Sequence, residues 1–361
     1  MRSAFVFSKD TQRSHFERSY YRTSSGQVKR RKGKLWTFRR NRVYSPSEVR
    51  PDEFRPSISV LMPVFNTANF LDKALGSLEV QTFRNFEIVI VDDGSTDGSL
   101  DILKAFALRD RRVRLVSREN KGLVATRNEL LEASRGRFVA WMDSDDVSLA
   151  HRLTRQYELL AGDNGIVCVG SFAECIDPDG NYLFLESFPE SHVGIVHAQQ
   201  QGGGMRFPTT MMKRDAALSV GGFREPFKMG EDFDFLLRLS ELGSMANIQE
   251  PLYLYRQHVE SVCATFGHQW IVYREQILEL ARERMAGGKD KLQRGEPVLI
   301  DTSQRKNDRN QISSVYLSWA AFGRASGNHK LMLRYLWKAV SQYPLSIDTW
   351  LSACRVLSGM T

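Results

Sequence analysis

The stretch FEIVIVDDGSTDGSL, residues 86–100, turns from strand to helix within a few positions. Phe86 to Val91 is a short run rich in β-branched and aromatic side chains, the pattern of a buried strand. Two acids, glycines and hydroxyls follow, and then Leu100, Ile102, Leu103 and Phe106 recur at helical spacing. The alternation repeats on both sides. Upstream, ISVLMPVF starts at Ile58 and is stopped by a proline and the polar loop Asn66–Asn69. FLDKALGSLEVQ then sets Phe70, Leu71, Ala74, Leu75 and Leu78 on one helical face. Downstream come the strand VRLVS (Val113–Ser117), the helical ENKGLVATRNELLEAS and the strand RFVAWMDSDD. Strands alternating with helices predict βαβ units, hence an α/β fold with a mostly parallel sheet and its chemistry at the C-terminal strand ends. Pro63, Asp92, Asp93 and the Asp143–Asp146 cluster all fall at such ends and are expected to meet in one crevice.

Asp143, Asp145 and Asp146 place three acids within four positions at the end of an apolar run. Carboxylates this close repel one another and raise each other's pKa unless a cation or donor sits among them. A dinucleotide-binding fold would carry GxGxxG between its first strand and helix, but the turn here reads MPVFNTANF and contains no glycine. Nor does the chain carry a GxxxxGK[ST] phosphate loop. An anionic group in this crevice therefore needs another neutraliser. Hard oxygen ligands select Mg²⁺ or Mn²⁺, held by one or two carboxylates together with substrate phosphates.

The chain's 361 residues suit one large or two modest domains. The four cysteines, Cys168, Cys175, Cys263 and Cys354, form no CxxC pair and no zinc-spaced cluster. No apolar run is long enough to span a bilayer, and MRSAFVFSKDTQRSHF lacks the apolar core of a signal peptide. A cytoplasmic protein is expected. Residues 1–50 hold 14 Lys/Arg against 3 Asp/Glu, whereas the whole chain carries +8, so the remainder sums to −3. The basicity belongs to an arm containing KRRKGK (Lys29–Lys34) and RRNR (Arg39–Arg42), not to a nucleic-acid-binding domain, and no nucleic-acid partner is expected. Without a helical or strand period, the arm reads as a solvated, flexible segment. The sharper alternative is peripheral contact with anionic lipid on the inner face of the membrane.

Several motifs together resemble glycosyltransferase family 2: VDDGSTDGS, NKGLVATRN, MDSDD, FPTTMMKRDAALSVGGF, GEDFDFLLRLSELG and PLYLYRQHVESV, spread over roughly residues 57–262. The resemblance implies a GT-A fold, a Rossmann-like mixed sheet flanked by helices. It also implies inverting, metal-dependent transfer of a sugar from a nucleotide-sugar, UDP-linked foremost, to a carbohydrate or glycolipid acceptor in envelope or exopolysaccharide assembly. By the same resemblance Asp145 binds the metal. Pro63, Val64, Phe65, Asn66, Asp92, Asp93, Lys121, Asp143 and Ser144 hold the nucleotide-sugar. Asp232 of the Glu231-Asp232 pair is the catalytic base, with Glu231 orienting it or binding acceptor. Phe65 stands where the family often has tyrosine, which keeps a stacking face and loses a hydroxyl. Asp93 or Ser95 is expected to cap the following helix while Asp92 reaches the base, and Asp146 to support the metal ligands. Arg127 and Asn128 are expected to tie their helix to the neighbouring loop. His258 and Arg256 are expected near the diphosphate, and Gly202–Gly204 to form an acceptor lid. A nucleotidyltransferase or a non-catalytic sugar-binding relative is the competing reading. The QxxRW signature of processive polymerases is missing, which points to non-processive transfer.

This organises the chain as a basic arm (1–56), a catalytic domain (57–265, with a nucleotide-sugar half to 150 and an acceptor half beyond) and a helical extension (266–361). Within the extension, HQWIVYREQILELARERMA reads as one amphipathic helix and the segment after residue 312 as three short helices. Gly327-Asn328 and Tyr343-Pro344 sit at the turns of a tetratricopeptide-like pair. Trp319, Trp337 and Trp350 are expected mainly in its core.

Overall fold

The computed structural model describes residues 55–261, 269–301 and 311–359, with the backbone of four short strands before them. These four are β1 (Tyr20–Arg22), β2 (Val28–Arg30), β3 (Thr37–Arg39) and β4 (Arg42–Tyr44). The nucleotide-sugar half then alternates as expected: β5 (Ile58–Val64), α1 (Ala68–Glu79), β6 (Phe86–Asp92), α2 (Ser99–Arg109), β7 (Val113–Ser117), α3 (Leu123–Ala133) and β8 (Phe138–Trp141). The acceptor half contributes β9 (Val147–Ser148), α4 (Arg152–Gly162), β10 (Ile166–Ile176), β11 (Tyr182–Glu186) and α5 (His192–Gln200). It continues through β12 (Met211–Lys213), α6 (Arg214–Ser219), α7 (Glu231–Ser240) and β13 (Ser244–Arg256). The extension holds α8 (Trp270–Gly287), α9 (Gln311–Ala325), α10 (His329–Gln342) and α11 (Ile347–Ser358).

One mixed sheet runs in the order β3-β4-β7-β6-β5-β8-β12-β10-β13-β9, with β11 on β10. Strands β7, β6, β5 and β8 are mutually parallel neighbours. The antiparallel β12 bridges β8 to β10 and so joins the two halves. Both faces of the parallel part are covered. Val60, Met62, Ile88 and Ile90 belong to one buried cluster, Leu61, Val89 and Val91 to the other. A strand buried on both faces needs apolar residues at successive positions, which is why β5 and β6 read as continuous runs.

Pro63 shows how the sheet opens into the crevice. The carbonyl of Leu61 accepts the Met142 amide at 3.1 Å, so odd positions of β5 face β8, which ends at Trp141. Pro63 therefore sits where no ladder donor is required. Val64 faces the other way and accepts the Asp93 amide at 2.8 Å.

Two expectations are corrected. The arm expected to lack a strand period carries β1–β4, and β4 pairs with β7 (Val43 with Ser117, Tyr44 with Val116), so β3 and β4 extend the main sheet at its edge. An edge strand presents unpaired backbone groups, and a short β-branched and aromatic segment satisfies them without a long period. The arm's remaining residues, with both charge runs' side chains, lie outside the described residues, as do the expected boundary at 265 and Cys263. Second, of the three tryptophans only Trp319 is buried; Trp337 is 72% and Trp350 50% exposed. Among the described residues no helix is long and apolar enough to cross a membrane.

The helical extension is fixed to the catalytic domain by specific contacts. In α8, Tyr273, Ile277 and Leu280 pack with Phe227, Phe233 and Leu237 from the α7 region. Helices α9–α11 bury Trp319, Leu331 and Tyr335 with Cys175 and Leu183 of β10 and β11. The Tyr335 hydroxyl donates to Asp177 Oδ2 at 2.7 Å, and Trp319 Nε1 donates to Gln257 Oε1 at 2.8 Å.

Candidate active site

The loops after β5 and β6 are zipped together by the hydroxyls and acids of DDGSTDGS. Ser95 Oγ accepts the Asn66 amide at 3.0 Å, Asn66 Oδ1 accepts the Thr96 amide at 2.8 Å, and Asp97 Oδ2 accepts the Ala68 amide at 2.9 Å. Asn66 is the sole non-glycine residue described with positive φ, at 52°. Asn tolerates this region better than most residues, and the bonds from Ser95 and Thr96 hold it there. Phe65, beside it, is half exposed and presents a free aromatic ring at the crevice mouth.

The acids of the motif divide their labour differently from expectation. Asp92 is fully buried and accepts from Ser117 Oγ at 2.7 Å and the Ser95 amide at 3.2 Å. Asp93 accepts from the Arg118 guanidinium and from the amides of Lys121 and Gly122 at 2.8 and 2.9 Å. It thereby fixes the entry to α3, not to α2. The α2 turn is made instead by Gly98 at φ 94° and by Asp97, whose Oδ1 accepts the Ser99 amide at 3.0 Å. Lys121, positioned through its own amide, is exposed.

Beyond β8 the carboxylate oxygens of Asp143, Asp145 and Asp146 lie within 4.8 Å of one another. The loop is braced from below. The Asp143 amide donates to Tyr253 Oη at 3.1 Å, the Arg256 amide donates to Asp146 Oδ1 at 2.7 Å, and Arg256 Nε donates to the Asp145 carbonyl at 2.7 Å. Ser144 Oγ accepts from Thr67 Oγ1 at 2.9 Å, binding the acid loop to the β5–α1 loop. His258 Nε2 lies 2.8 Å from Asp145 Oδ2, so the histidine joins the acid cluster itself. Desolvation, with added repulsion from Asp145 and Asp232 and against the pull of Arg127, pushes Asp143 up to about 6. Buried Asp146 is driven up in the same sense, by burial and then by Asp145 and Asp143. Three carboxylates converging in one place, only partly offset by Arg127, His258 and the Arg256 amide, fit a hard divalent cation.

Glu231 and Asp232 open α7, following Gly230 in the left-handed region at φ 78°. A side chain at Gly230 would also place its Cβ 2.8 Å from Trp270 Cζ3. Glu231 is buried and accepts from Arg127 at 2.5 Å, while Arg127 also reaches Asp143 at 4.0 Å. The Arg127 guanidinium lies over the rings of Phe207 and Phe223, 4.7 and 5.5 Å from their centroids. Burial, with added repulsion from Asp232 and Asp143 against the pull of Arg127, pushes Glu231 up to about 7. Asp232 is only partly buried; its Oδ1 accepts the Phe233 amide at 2.8 Å. The site thus joins the two halves: Arg127 from α3, Asp143 after β8 and Glu231 on α7.

Arg127 was expected only to tie its helix to a loop, a role that falls to Asn128, paired with the backbone of Phe223 at 2.9 and 2.7 Å. Tyr253 lies within PLYLYRQHVESV with no expected role, and Arg152 carries no motif. Arg152 is buried under the acid loop and donates to the carbonyls of Trp141 and Thr210 at 2.7 and 3.2 Å. An arginine in the apolar setting of a helix start was the one available signal. The Gly202–Gly204 loop, expected as a lid, is backed by α8: a Cβ at Gly202 would meet Arg274 Cδ at 3.0 Å, and Asn247 Nδ2 donates to the Gly204 carbonyl at 2.9 Å.

Similarity to known proteins gives the family. Residues 59–221 match the family described as "Glycosyl transferase family 2". The chain is 30% identical over 226 residues to glycosyltransferase GlyG of Streptococcus pneumoniae, covering 59% of this chain and 75% of that one. It is 31% identical over 202 residues to glycosyltransferase GlyA of the same organism, covering 56% of this chain and 29% of that one. Among solved structures, Staphylococcus aureus TarS 1–349 in complex with UDP aligns with TM-score 0.48 and 18% identity, over 84% of this chain and 92% of that one. The chain belongs to glycosyltransferase family 2 and is a glycosyltransferase; it carries one mixed sheet flanked by helices and a C-terminal helical part.

Proposed function

We propose that this glycosyltransferase takes its sugar from a nucleotide-sugar, a UDP-sugar foremost, and delivers it with inversion to a hydroxyl of a carbohydrate or glycolipid acceptor. The setting would be envelope or exopolysaccharide assembly, one or a few sugars at a time. The observation that carries the reading is the Arg127 bridge, 2.5 Å to Glu231 and 4.0 Å to Asp143, which brings the helix bearing Asp232 against the acid cluster. Asp145, with Asp143 and His258 beside it, would hold Mg²⁺ or Mn²⁺; when bound, such an ion stabilises charge on the departing nucleoside diphosphate. Asp92, Asp93 and Asn66 shape the loops around the nucleotide, and Phe65 offers its ring for stacking. The backbone at Pro63–Val64, the Ser144 tie and the Lys121 side chain complete the cradle.

The chemistry follows from these positions. The acceptor hydroxyl loses its proton as its oxygen attacks the anomeric carbon, and Asp232 receives that proton as general base. Glu231, locked on Arg127, positions α7 and does not exchange the proton. Attack opposite the leaving group inverts the centre, so no covalent enzyme intermediate is needed. A nucleotidyltransferase fits less well, because the glycine-free turn after β5 is built from side-chain bonds to DDGSTDGS and leaves little bare backbone for a triphosphate. The reaction is read as cytoplasmic, with the basic arm supplying charge attraction to the inner membrane face. Incubation with UDP-, GDP- and dTDP-sugars, with Mn²⁺ or with EDTA, and quantification of released nucleoside diphosphate tests the proposal. Metal-dependent release from one class is expected; equal release in EDTA overturns the metal role, and no release from any donor with a panel of lipid-linked and free saccharide acceptors overturns the donor reading.

A further inference from the structure

Helix α11 is turned unusually for a terminal packing element. Its buried residues are the small Thr349 and Ala353, while Ile347, Trp350, Leu351 and Leu357 face outward. These outward positions recur at helical spacing and form one continuous apolar stripe. The preceding turn adds Leu345, 95% exposed, and Ile347 is 75% exposed. On α10, Leu333 and the 72%-exposed Trp337 are spaced by one helical turn and both point outward. Large apolar side chains left together at a surface form the kind of patch that marks an interaction site.

Its charge says with what. Residues 311–359 carry Arg324, Lys330, Arg334, Lys338 and Arg355 against a single acid, Asp348, whereas residues 51–361 together sum to −3; Arg334 is paired with Asp179 and Lys338 lies over the rings of Tyr316 and Tyr335, which leaves Lys330 and Arg355 exposed beside the apolar side chains. Lys330 falls within one turn of Leu333 and two turns of Trp337 on the same side of α10. Large apolar and indole groups beside Lys and Arg, on helices lying at a surface, match an anionic bilayer interface. A second copy of the chain would meet the same excess of basic over acidic residues on this face.

We propose that the α10–α11 face, centred on Leu333, Trp337, Ile347 and Trp350 and rimmed by the exposed Lys330 and Arg355, seats the enzyme on an anionic lipid surface. The apolar side chains enter the headgroup layer while Lys330 and Arg355 meet lipid phosphates. The consequence for the enzyme is orientation. The same three-helix unit is bonded through Trp319 to Gln257, the residue before His258 of the acid cluster, so a membrane-seated face sets the crevice at a fixed height and tilt.

The test uses the full chain and phosphatidylcholine vesicles with or without phosphatidylglycerol, read by sedimentation. Leu333→Ser/Trp337→Ser/Ile347→Ser alters exposed side chains only and should leave the thermal transition unchanged. Binding to anionic vesicles is expected to weaken at least about tenfold in this variant. It should remain measurable when Lys29, Arg30, Arg31, Lys32 and Lys34 are replaced by Gln, and Lys330→Glu/Arg355→Glu should weaken it without the apolar changes. Undiminished binding in the triple variant, or loss of all binding with the arm substitutions alone, overturns the proposal. So does sedimentation-velocity evidence, in lipid-free buffer, of a dimer that the triple variant dissociates.

Discussion

Glu231→Gln offers a test of the site's electrostatics that does not depend on knowing the substrate. The wild-type carboxyl, ordinarily at 4.5, is pushed to about 7 by burial and by Asp232 and Asp143. Between these values the folded chain holds a proton that the unfolded chain has released. Stability from this group is therefore fullest below pH 4.5 and is lost as pH rises to 7, the direction opposite to a salt-bridged carboxylate of depressed pKa. A shift of about 2.5 units at 1.36 kcal/mol per unit corresponds to about 3 kcal/mol. At roughly 2 °C per kcal/mol for a chain of this size, the metal-free protein should lose roughly 6 °C of its Tm between pH 5 and 8 through this residue. Gln keeps an oxygen for Arg127 but cannot ionise. The variant should be less stable than wild type at low pH, where it lacks nothing but packing fit, by little. Its Tm should fall far less steeply from pH 5 to 8. Differential scanning calorimetry in EDTA measures both slopes. Parallel wild-type and variant slopes would refute the assignment of a buried, proton-holding Glu231.

Three further outcomes are expected. Asp232→Asn should lower kcat by roughly 10²–10⁴-fold with donor affinity nearly unchanged, measured by steady-state kinetics beside donor calorimetry; near-wild-type turnover would remove it as base. Asp145→Ala should abolish the difference in nucleotide-sugar affinity between Mn²⁺ and EDTA, and a persisting difference would place the ion elsewhere. Tyr335→Phe removes the 2.7 Å bond to Asp177 Oδ2; a loss of about 1.5–3 kcal/mol is expected in urea unfolding, and an unchanged midpoint would show that water replaces the hydroxyl at no cost.

The parallel half of the fold was legible because its signals are local. A doubly buried strand must be apolar at successive positions, a helix must repeat every turn, and the loops between must carry Gly, Asp, Ser and Asn. Those constraints placed β5 to β8 and their acids at one sheet edge. The partner of each acid was not legible. Arg127 and Glu231 are 104 positions apart and Asp145 and His258 are 113 apart, and no periodicity encodes such pairing. The assignment of Asp93 to the wrong helix has the same origin. An Asx motif shows that a carboxylate will accept amides, not whether they come from the helix after β6 or the one after β7.

The tryptophans fail for a different reason, and it bears on function. Helical spacing tells which residues share a face, but not which face turns inward. In α10 and α11 the decision is made by contacts remote in sequence. Tyr335 is drawn to Asp177 and stacks with Tyr316 at 5.8 Å, and Gly323 leaves its backbone so close to Met332 that a Cβ would lie 2.7 Å from that amide. These anchors fix the rotation of α10 against α9, and α11 then packs by its small residues. Trp337 and Trp350 are carried outward by constraints that exist for the sake of the β10–β11 docking. The same rotation that misleads a periodicity reading creates the exposed apolar face, and it ties that face rigidly to Gln257 and, one residue on, to His258 beside Asp145. A change that merely loosened the Tyr335–Asp177 anchor would therefore disturb both ends at once, the surface face and the bracing of the acid cluster, without touching either.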